Sequence, residues 1–345
     1  MGEGRVKKTR YPFVISNKPL IVIVTYVKCG ILTLVFTDDL PAYRRFDRIS
    51  KMYDLVFYHA PSVYDFRERT TLWGPISDLV PSTPVFDMYP LGFATMLAYL
   101  QESGYRVRIV NLAARMVHSQ TFNPDRMIRQ TEARAFAVDL HWLPHAHGAV
   151  EVARRIKRYH PDAPVIMGGY SATYFHDEVV RLPWVDYVIR GDSAEEPLAL
   201  LMQHIVDGSE PIDVANLTWC DDDGSLVVNP LTYVPDSLDH LKLDFHDVVR
   251  AVVRDRRLRD YVPFSHWMEY PIMASLTVKG CKHNCTICGG SAFAARHLSH
   301  RTQPAFRSPK LLARDVRRLG EMSRGPVFLL GDLRQAGMSY AHRFF

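Results

Sequence analysis

From Asp54 to Gly208 short apolar runs rich in β-branched residues alternate with amphipathic stretches, and this rhythm constrains the fold more than anything else in the chain. DLVFYHAP, RVRIVNLA, RAFAVD (134–139), PVIMGG and VDYVIRGD read as five strands. Between them, residues 89–105 (YPLGFATMLAYLQESGY), HGAVEVARRIKRYHPDAP, 177–182 and SAEEPLALLMQHIVDG read as helices. Leu91, Met96, Leu97 and Leu100 make one helical face, with Gly104 as a stop; Val150, Val152, Ala153 and Ile156 make another. The Ser193/Glu pair that opens the last helix resembles an N-cap. Strands alternating with helices predict an α/β fold, a doubly wound, Rossmann-like parallel sheet over residues 51–210. Ligands of such sheets sit beyond the carboxyl ends of the strands. Those ends are Ala60-Pro61-Ser62, Asp139 to His147, Gly168-Gly169 and Gly191-Asp192.

The flanking segments are less regular. ANLTWCDDDGSLVVNP reads as a hairpin turning at Asp223-Gly224 and opens a connector over 211–270, polar and loop-rich after the hairpin. A new strand, Ile272 to Val278, starts a segment over 271–345, with a helix at 308–323 and a strand at PVFLLGD. Residues 1–50 form an extension of uncertain structure. Leu20 to Phe36 is apolar, but it is short for a membrane span, carries Lys28 in its middle and is β-branched, so a buried strand or a loose extension competes with an anchor. The net charge of +5 comes from scattered basic residues, which define no nucleic-acid surface. No signal peptide is evident and the five cysteines are odd in number, so a reducing cytoplasm is expected, with no membrane partner.

Three of those cysteines stand in GCKHNCTICGG, residues 280–290, spaced C-x3-C-x2-C. Cys281, Cys285 and Cys288 offer three thiolates on one loop, while Gly280, Gly289 and Gly290 let the backbone curl closely. Thiolates bind iron–sulfur clusters, and three donors leave one iron of a cubane open to a substrate or cofactor. Structural zinc is the alternative; it needs a fourth ligand, from His283, His297 or Cys220.

This loop, following a strand, resembles the main motif of radical SAM enzymes. The resemblance implies that the three cysteines hold a [4Fe–4S] cluster. Its open iron would chelate S-adenosylmethionine, and one electron would cleave the sulfonium to give a 5′-deoxyadenosyl radical. An electron donor such as flavodoxin or ferredoxin would serve as partner. Two positions bear on the match: Ile287 stands where an aromatic residue often precedes the last cysteine, and Leu330-Gly331-Asp332 stands where the family binds the SAM amino group. Asp332 also reads as a helix cap.

The stretch GGYSATYFHDEVVRLPWVDYVIRGDSAEEPLALL is similar to the cobalamin-binding domain that precedes many radical SAM barrels. That likeness implies cobalamin beside Gly168, Gly169 and Gly191, with Ser171 and Thr173 at its nucleotide tail; a tight turn without a ligand is the other reading of the glycines. The D-x-H-x-x-G pattern that supplies a cobalt ligand in many such domains is broken here. Asp139-Leu140-His141 is followed by Trp142, Leu143 and Pro144, so no lower ligand is assigned, and His141, His145 and His147 are a separate metal candidate. The combination implies methyl transfer to an unactivated centre on an unknown substrate. A sheet domain that is vestigial, or a non-catalytic metal module, are the alternatives. A six-unit barrel needs roughly 150–190 residues, scaled from eight units; positions 272–345 have room for two. The expectation is an incomplete barrel, inactive alone, with an unfinished sheet edge after PVFLLGD.

Overall fold

A computed structural model describes residues 22–25, 33–36, 52–68, 85–243 and 245–345. The chain divides into two compact units, 1–47 and 48–345. In the first, β1 (Val22–Thr25) and β2 (Thr33–Phe36) pair antiparallel, Val22 opposite Phe36. The apolar run over 20–36 therefore contains two strands; its remaining positions, and most of the expected extension, lie outside the described residues. Among the described residues no helix is long and apolar enough to cross a membrane.

The second unit is built on a seven-stranded sheet. Its elements are β3 (Tyr53–His59), α1 (Leu91–Glu102), β4 (Val107–Asn111), α2 (Leu112–His118), α3 (Pro124–Gln130), β5 (Ala133–Asp139), α4 (Ala146–Tyr159) and β6 (Val165–Gly168). There follow α5 (Tyr170–Tyr174), α6 (His176–Val180), β7 (Tyr187–Ile189), α7 (Glu195–Asp207), β8 (Leu217–Cys220) and β9 (Leu226–Val228). The strand order is β4-β3-β5-β6-β7-β8-β9. The first five strands are parallel, with Phe57 opposite both Ile109 and Ala137. The order reverses between β3 and β5, which makes that pair the switch point where such sheets bind ligands.

Both faces of the sheet are covered, because its strands are apolar at successive positions. Val56, Tyr58, Phe136 and Val138 pack under α4, whose Ala149, Val152, Ala153 and Ile156 are buried. The periodicity is the one expected, but Ala149 takes the core place assigned to Val150, which is half-buried. Leu55, Phe57, Ile109 and Ala137 face the other way, against α1 and α7. Removing one such fully buried Leu or Ile side chain costs about 2–5 kcal/mol, transfer and cavity together. The glycine stop after α1 is present as Gly104, at φ +89°.

Three local expectations change. The hairpin of β8 and β9, with Gly224 at φ +82° in its turn, adds antiparallel to β7 and extends the sheet. The loop-rich stretch after it holds a helix, α8 (His246–Asp255), packed against α1 through Val248 and Ala251. The cap of α7 is Ala194, without a side-chain bond; Ser193 contacts Asp192 instead, at 3.1 Å, and Glu195 accepts from Thr95 at 2.9 Å.

Beyond the connector the strand expected over 272–278 is two strands, β10 (Met273–Leu276) and β11 (Val278–Lys279), with α9 (Ala292–Ser299) and β12 (Ala305–Phe306) after them. Then come α10 (Pro309–Met322), β13 (Val327–Leu330) and α11 (Met338–Phe344). β10 pairs parallel with β13, through the α10 crossover; β11 pairs antiparallel with β12. The strand divides because Thr277 turns its amide to the Leu330 carbonyl (2.9 Å) while its own carbonyl accepts from Arg307 (2.9 Å).

Candidate functional site

The cysteine loop leaves β11 at Gly280, whose φ of +80° no other residue adopts cheaply. It folds back through Cys288 N–H to the Cys285 carbonyl (3.2 Å) and Ala292 N–H to the His283 carbonyl (2.8 Å). Ser291 then caps α9, accepting from Ala294 N–H at 3.3 Å. Cys281 is half-buried, and the His283 N–H approaches its sulfur at 3.4 Å. Cys285 and Cys288 are exposed, as is Ile287 between them. Cys220 stands on β8, packed against the sheet core, away from this loop in the fold.

Facing the loop is a cavity of about 460 Å³ at the carboxyl ends of the strands. One wall carries Asp139, His141, Gly168, Gly169, Tyr170, Gly191 and Asp192; the other carries Leu276, Val278, Lys279, Gly280 and Gly290. The three glycines picked out in the sheet thus share one space with two glycines of the cysteine loop. They differ in why they are glycine. A Cβ on Gly169 (φ +114°) would lie 2.5 Å from the His141 Cα, so the protein itself requires it. A Cβ on Gly168 would meet nothing closer than the Ile189 carbonyl at 3.5 Å, so its bareness leaves room toward the cavity.

Thr173 is buried, donating to the Gly169 carbonyl and accepting from Gly191 N–H, both at 2.9 Å. Its hydroxyl ties the β6 end to the β7 end, where a contact with a nucleotide tail was expected. Ser171 is half-buried at the start of α5. Thr173→Val leaves the Gly191 amide without its acceptor and is expected to cost about 1–2 kcal/mol in a denaturant melt. Tyr170, 38% exposed, lines the same wall of the cavity.

A buried ion pair closes the far side. Arg301, which follows α9, grips Asp192 with two bonds, 2.5 Å from Nε and 2.8 Å from Nη2, and gives a third to the Pro235 carbonyl. Both side chains are 2–3% exposed. Burial alone would raise the Asp192 carboxyl; the Arg301 bonds hold it below the usual range. Lys279 adds a bond to Ser193 at 3.1 Å. Nothing in the local pattern around Arg301 marks it for this role.

At the switch point Asp139, 5% exposed, accepts from His141 Nδ1 (2.7 Å) and from His59 Nδ1 (3.0 Å). His59 is fully buried, and its Nε2 faces the Phe86 carbonyl at 2.9 Å. Both nitrogens of His59 thus meet acceptors, so the ring is an imidazolium. Burial opposes that charge, but Asp139 and Phe86 outweigh it and raise the pKa. Sequence reasoning had named Asp139 and His141 but missed His59, which only the pairing of β3 with β5 brings near.

On the opposite flank Gly331, at φ +104°, ends β13; a Cβ there would strike Val278 Cγ1 at 2.4 Å. Asp332 caps the 3-10 turn Leu333–Ala336, accepting from Arg334 N–H at 3.0 Å, with an exposed ion pair to the same arginine. The cap reading of Asp332 is the one the structure displays.

A doubly wound sheet with a ligand-sized cavity at its switch point, faced by a three-cysteine loop, is an α/β architecture of the kind that binds ligands at its strand ends. Residues 78–201 match the family model of the B12 binding domain, the likeness that the sequence resemblance implied. The chain is 22% identical over 193 residues to an anaerobic magnesium-protoporphyrin IX monomethyl ester cyclase of Rubrivivax gelatinosus, covering 55% of this chain and 32% of that one. It is 22% identical over 251 residues to a cytidylyl-2-hydroxyethylphosphonate methyltransferase of Streptomyces wedmorensis, covering 62% and 46%. Its fold is similar to that of the radical S-adenosylmethionine methyltransferase TsrM of Kitasatospora setae, with a TM-score of 0.59 at 13% identity over 85% of this chain and 51% of that one. The cobalamin-dependent S-adenosylmethionine radical enzyme OxsB also matches, with a TM-score of 0.54 at 11% identity over 85% and 36%. The chain spans about a third to a half of the length of these proteins. These likenesses extend through the sheet and the cysteine segment, and they are likenesses of fold.

Proposed function

We propose that this chain is the cofactor-binding part of a cobalamin-dependent radical SAM enzyme that transfers a methyl group to an unactivated centre. The observation that carries the reading is the shared cavity, with Gly168, Gly169 and Gly191 of the B12-binding domain on one wall and Gly280 and Gly290 of the cysteine loop on the other. Cys281, Cys285 and Cys288 would hold the [4Fe–4S] cluster, and their all-sulfur donor set suits iron–sulfur ligation. Gly331 and Asp332 would flank S-adenosylmethionine. Gly168, with space above its Cα, would take the approach of cobalamin, and Ser171 and Gly191 lie along the same rim.

When bound, these groups supply reductive cleavage of a sulfonium and a carrier for methyl. The chain's own residues position and insulate. The Asp192–Arg301 pair fixes the spacing of the two walls, and the apolar Leu276, Val278 and Ile189 keep water from the space between. The exposed edge at Cys285 and Cys288 is the side open to an electron donor of the flavodoxin or ferredoxin type.

Anaerobic reconstitution with iron and sulfide tests the assignment. The brown chain should hold about four irons, its spectrum should change on adding S-adenosylmethionine, and it should retain hydroxocobalamin through gel filtration. Cys285→Ala and Cys288→Ala should each lose the iron while still retaining hydroxocobalamin. Stoichiometric zinc that Cys285→Ala and Cys288→Ala abolish, with no brown colour, would instead establish the loop as a metal module without radical chemistry.

A further inference from the structure

We propose that Asp139, His141 and His145 form a binding site for a divalent transition metal ion, zinc by preference, at the switch point between β3 and β5. Among the described residues these three alone bring one ligand atom each, two imidazole nitrogens and a carboxylate oxygen, within 4.8 Å of one another. That donor set suits zinc, copper or nickel far better than magnesium or calcium.

His145 is the independent sign that something binds there. It is 1% exposed, and neither of its ring nitrogens has a hydrogen-bond partner. An imidazole buried this way forfeits both of its bonds to water unless a ligand takes a lone pair. The ring packs against His141 at 4.4 Å and against Phe86 at 4.5 Å between centroids. It therefore has a neighbouring donor on one side and an apolar lid on the other. The turn Leu143–His145 sets the spacing, since the His145 N–H donates to the Trp142 carbonyl at 2.9 Å and folds the ring back over His141.

The surroundings are those of a supported site. His59 donates to Asp139 and is itself fixed by the Phe86 carbonyl, the outer arrangement that orients a ligating carboxylate. Asp139 and His141 line the cavity, which gives an entry path. Binding replaces the 2.7 Å hydrogen bond between His141 and Asp139 with two bonds to the ion, and the His141 proton moves to the other ring nitrogen. The site uses none of the cysteines and needs neither cluster nor cobalamin.

The test uses the full chain with Cys281, Cys285 and Cys288 all changed to serine, so that the cysteine loop cannot compete. Titration with zinc chloride in a calorimeter should find one site per chain. Cobalt(II) should give visible bands of a nitrogen- and oxygen-ligated ion, without sulfur charge transfer. His145→Phe, which keeps an aromatic ring in the pocket, should weaken zinc binding at least 100-fold. His59→Gln should weaken it roughly 10–100-fold, as removal of an outer partner does. Should His145→Phe fail to fold, His141→Ala reads the same site from its partly exposed side. The proposal is overturned by the absence of stoichiometric binding, or by binding that neither His141→Ala nor His145→Phe weakens.

Discussion

Arg301→Met should lower the unfolding free energy at neutral pH by about 3–5 kcal/mol, the range for a buried pair broken on one side. The substitution keeps the apolar stem and removes three donors. It leaves the Asp192 carboxylate, 3% exposed, with only the Ser193 hydroxyl bonded to it and Lys279 as a weaker positive neighbour, and it removes the Arg301 bond to the Pro235 carbonyl. The pH dependence distinguishes this cause from lost packing. In the native chain Asp192 has a depressed pKa, so its contribution is complete above the unfolded value of about 3.9 and is lost as pH falls through the folded one. In Arg301→Met the same carboxyl is buried and unpaired. Its pKa then rises above the unfolded value, and the variant recovers stability as pH falls and the group takes up a proton. Urea melts at neutral pH and near pH 4 should therefore show the gap to the native chain narrowing in acid. A gap independent of pH would mean that the pair is not what couples β7 to the cysteine segment.

Two adjacent glycines should respond in opposite ways. Gly169→Ala should cost about 3 kcal/mol or more: roughly 1–3 kcal/mol for a side chain at φ +114°, and more for a Cβ driven to 2.5 Å from the His141 backbone. Gly168→Ala should stay within about 1 kcal/mol of the native chain, because its Cβ makes only an ordinary 3.5 Å contact. That same methyl points at the space assigned to cobalamin, and retention of hydroxocobalamin should fall at least tenfold. Thermal melts and equilibrium dialysis on both variants separate the roles. A Gly168→Ala chain that retains the cofactor unchanged would move the binding surface away from the β6 end.

The parallel core of the sheet was legible because its strands are apolar on successive residues and its helices carry apolar residues at three- and four-residue intervals. Phe57 and Ala137 could be placed in a buried strand from pattern alone; the core face of α4 differs at one residue, Val150, and the helix ends at Tyr159, short of the expected Pro164. Harder to read was α8, a ten-residue helix whose HDVVRAVVRD pattern is polar enough to pass for a connector until α1 supplies the surface it covers. The division of the strand after Pro271 was also hidden, since it depends on which carbonyl Thr277 finds, and that carbonyl belongs to Leu330.

By itself the sequence determined the α/β class, the cysteine triad with its spacing, and the glycines at the strand ends, because these follow from local periodicity and from donors close along the chain. Only the tertiary structure decided that Arg301 pairs with Asp192, that Thr173 joins two strand ends, and that His59 and Phe86 stand around Asp139 and His145. These contacts join residues far apart along the chain. They arise where parallel strands align their carboxyl ends, and burial then sets which polar groups must find one another.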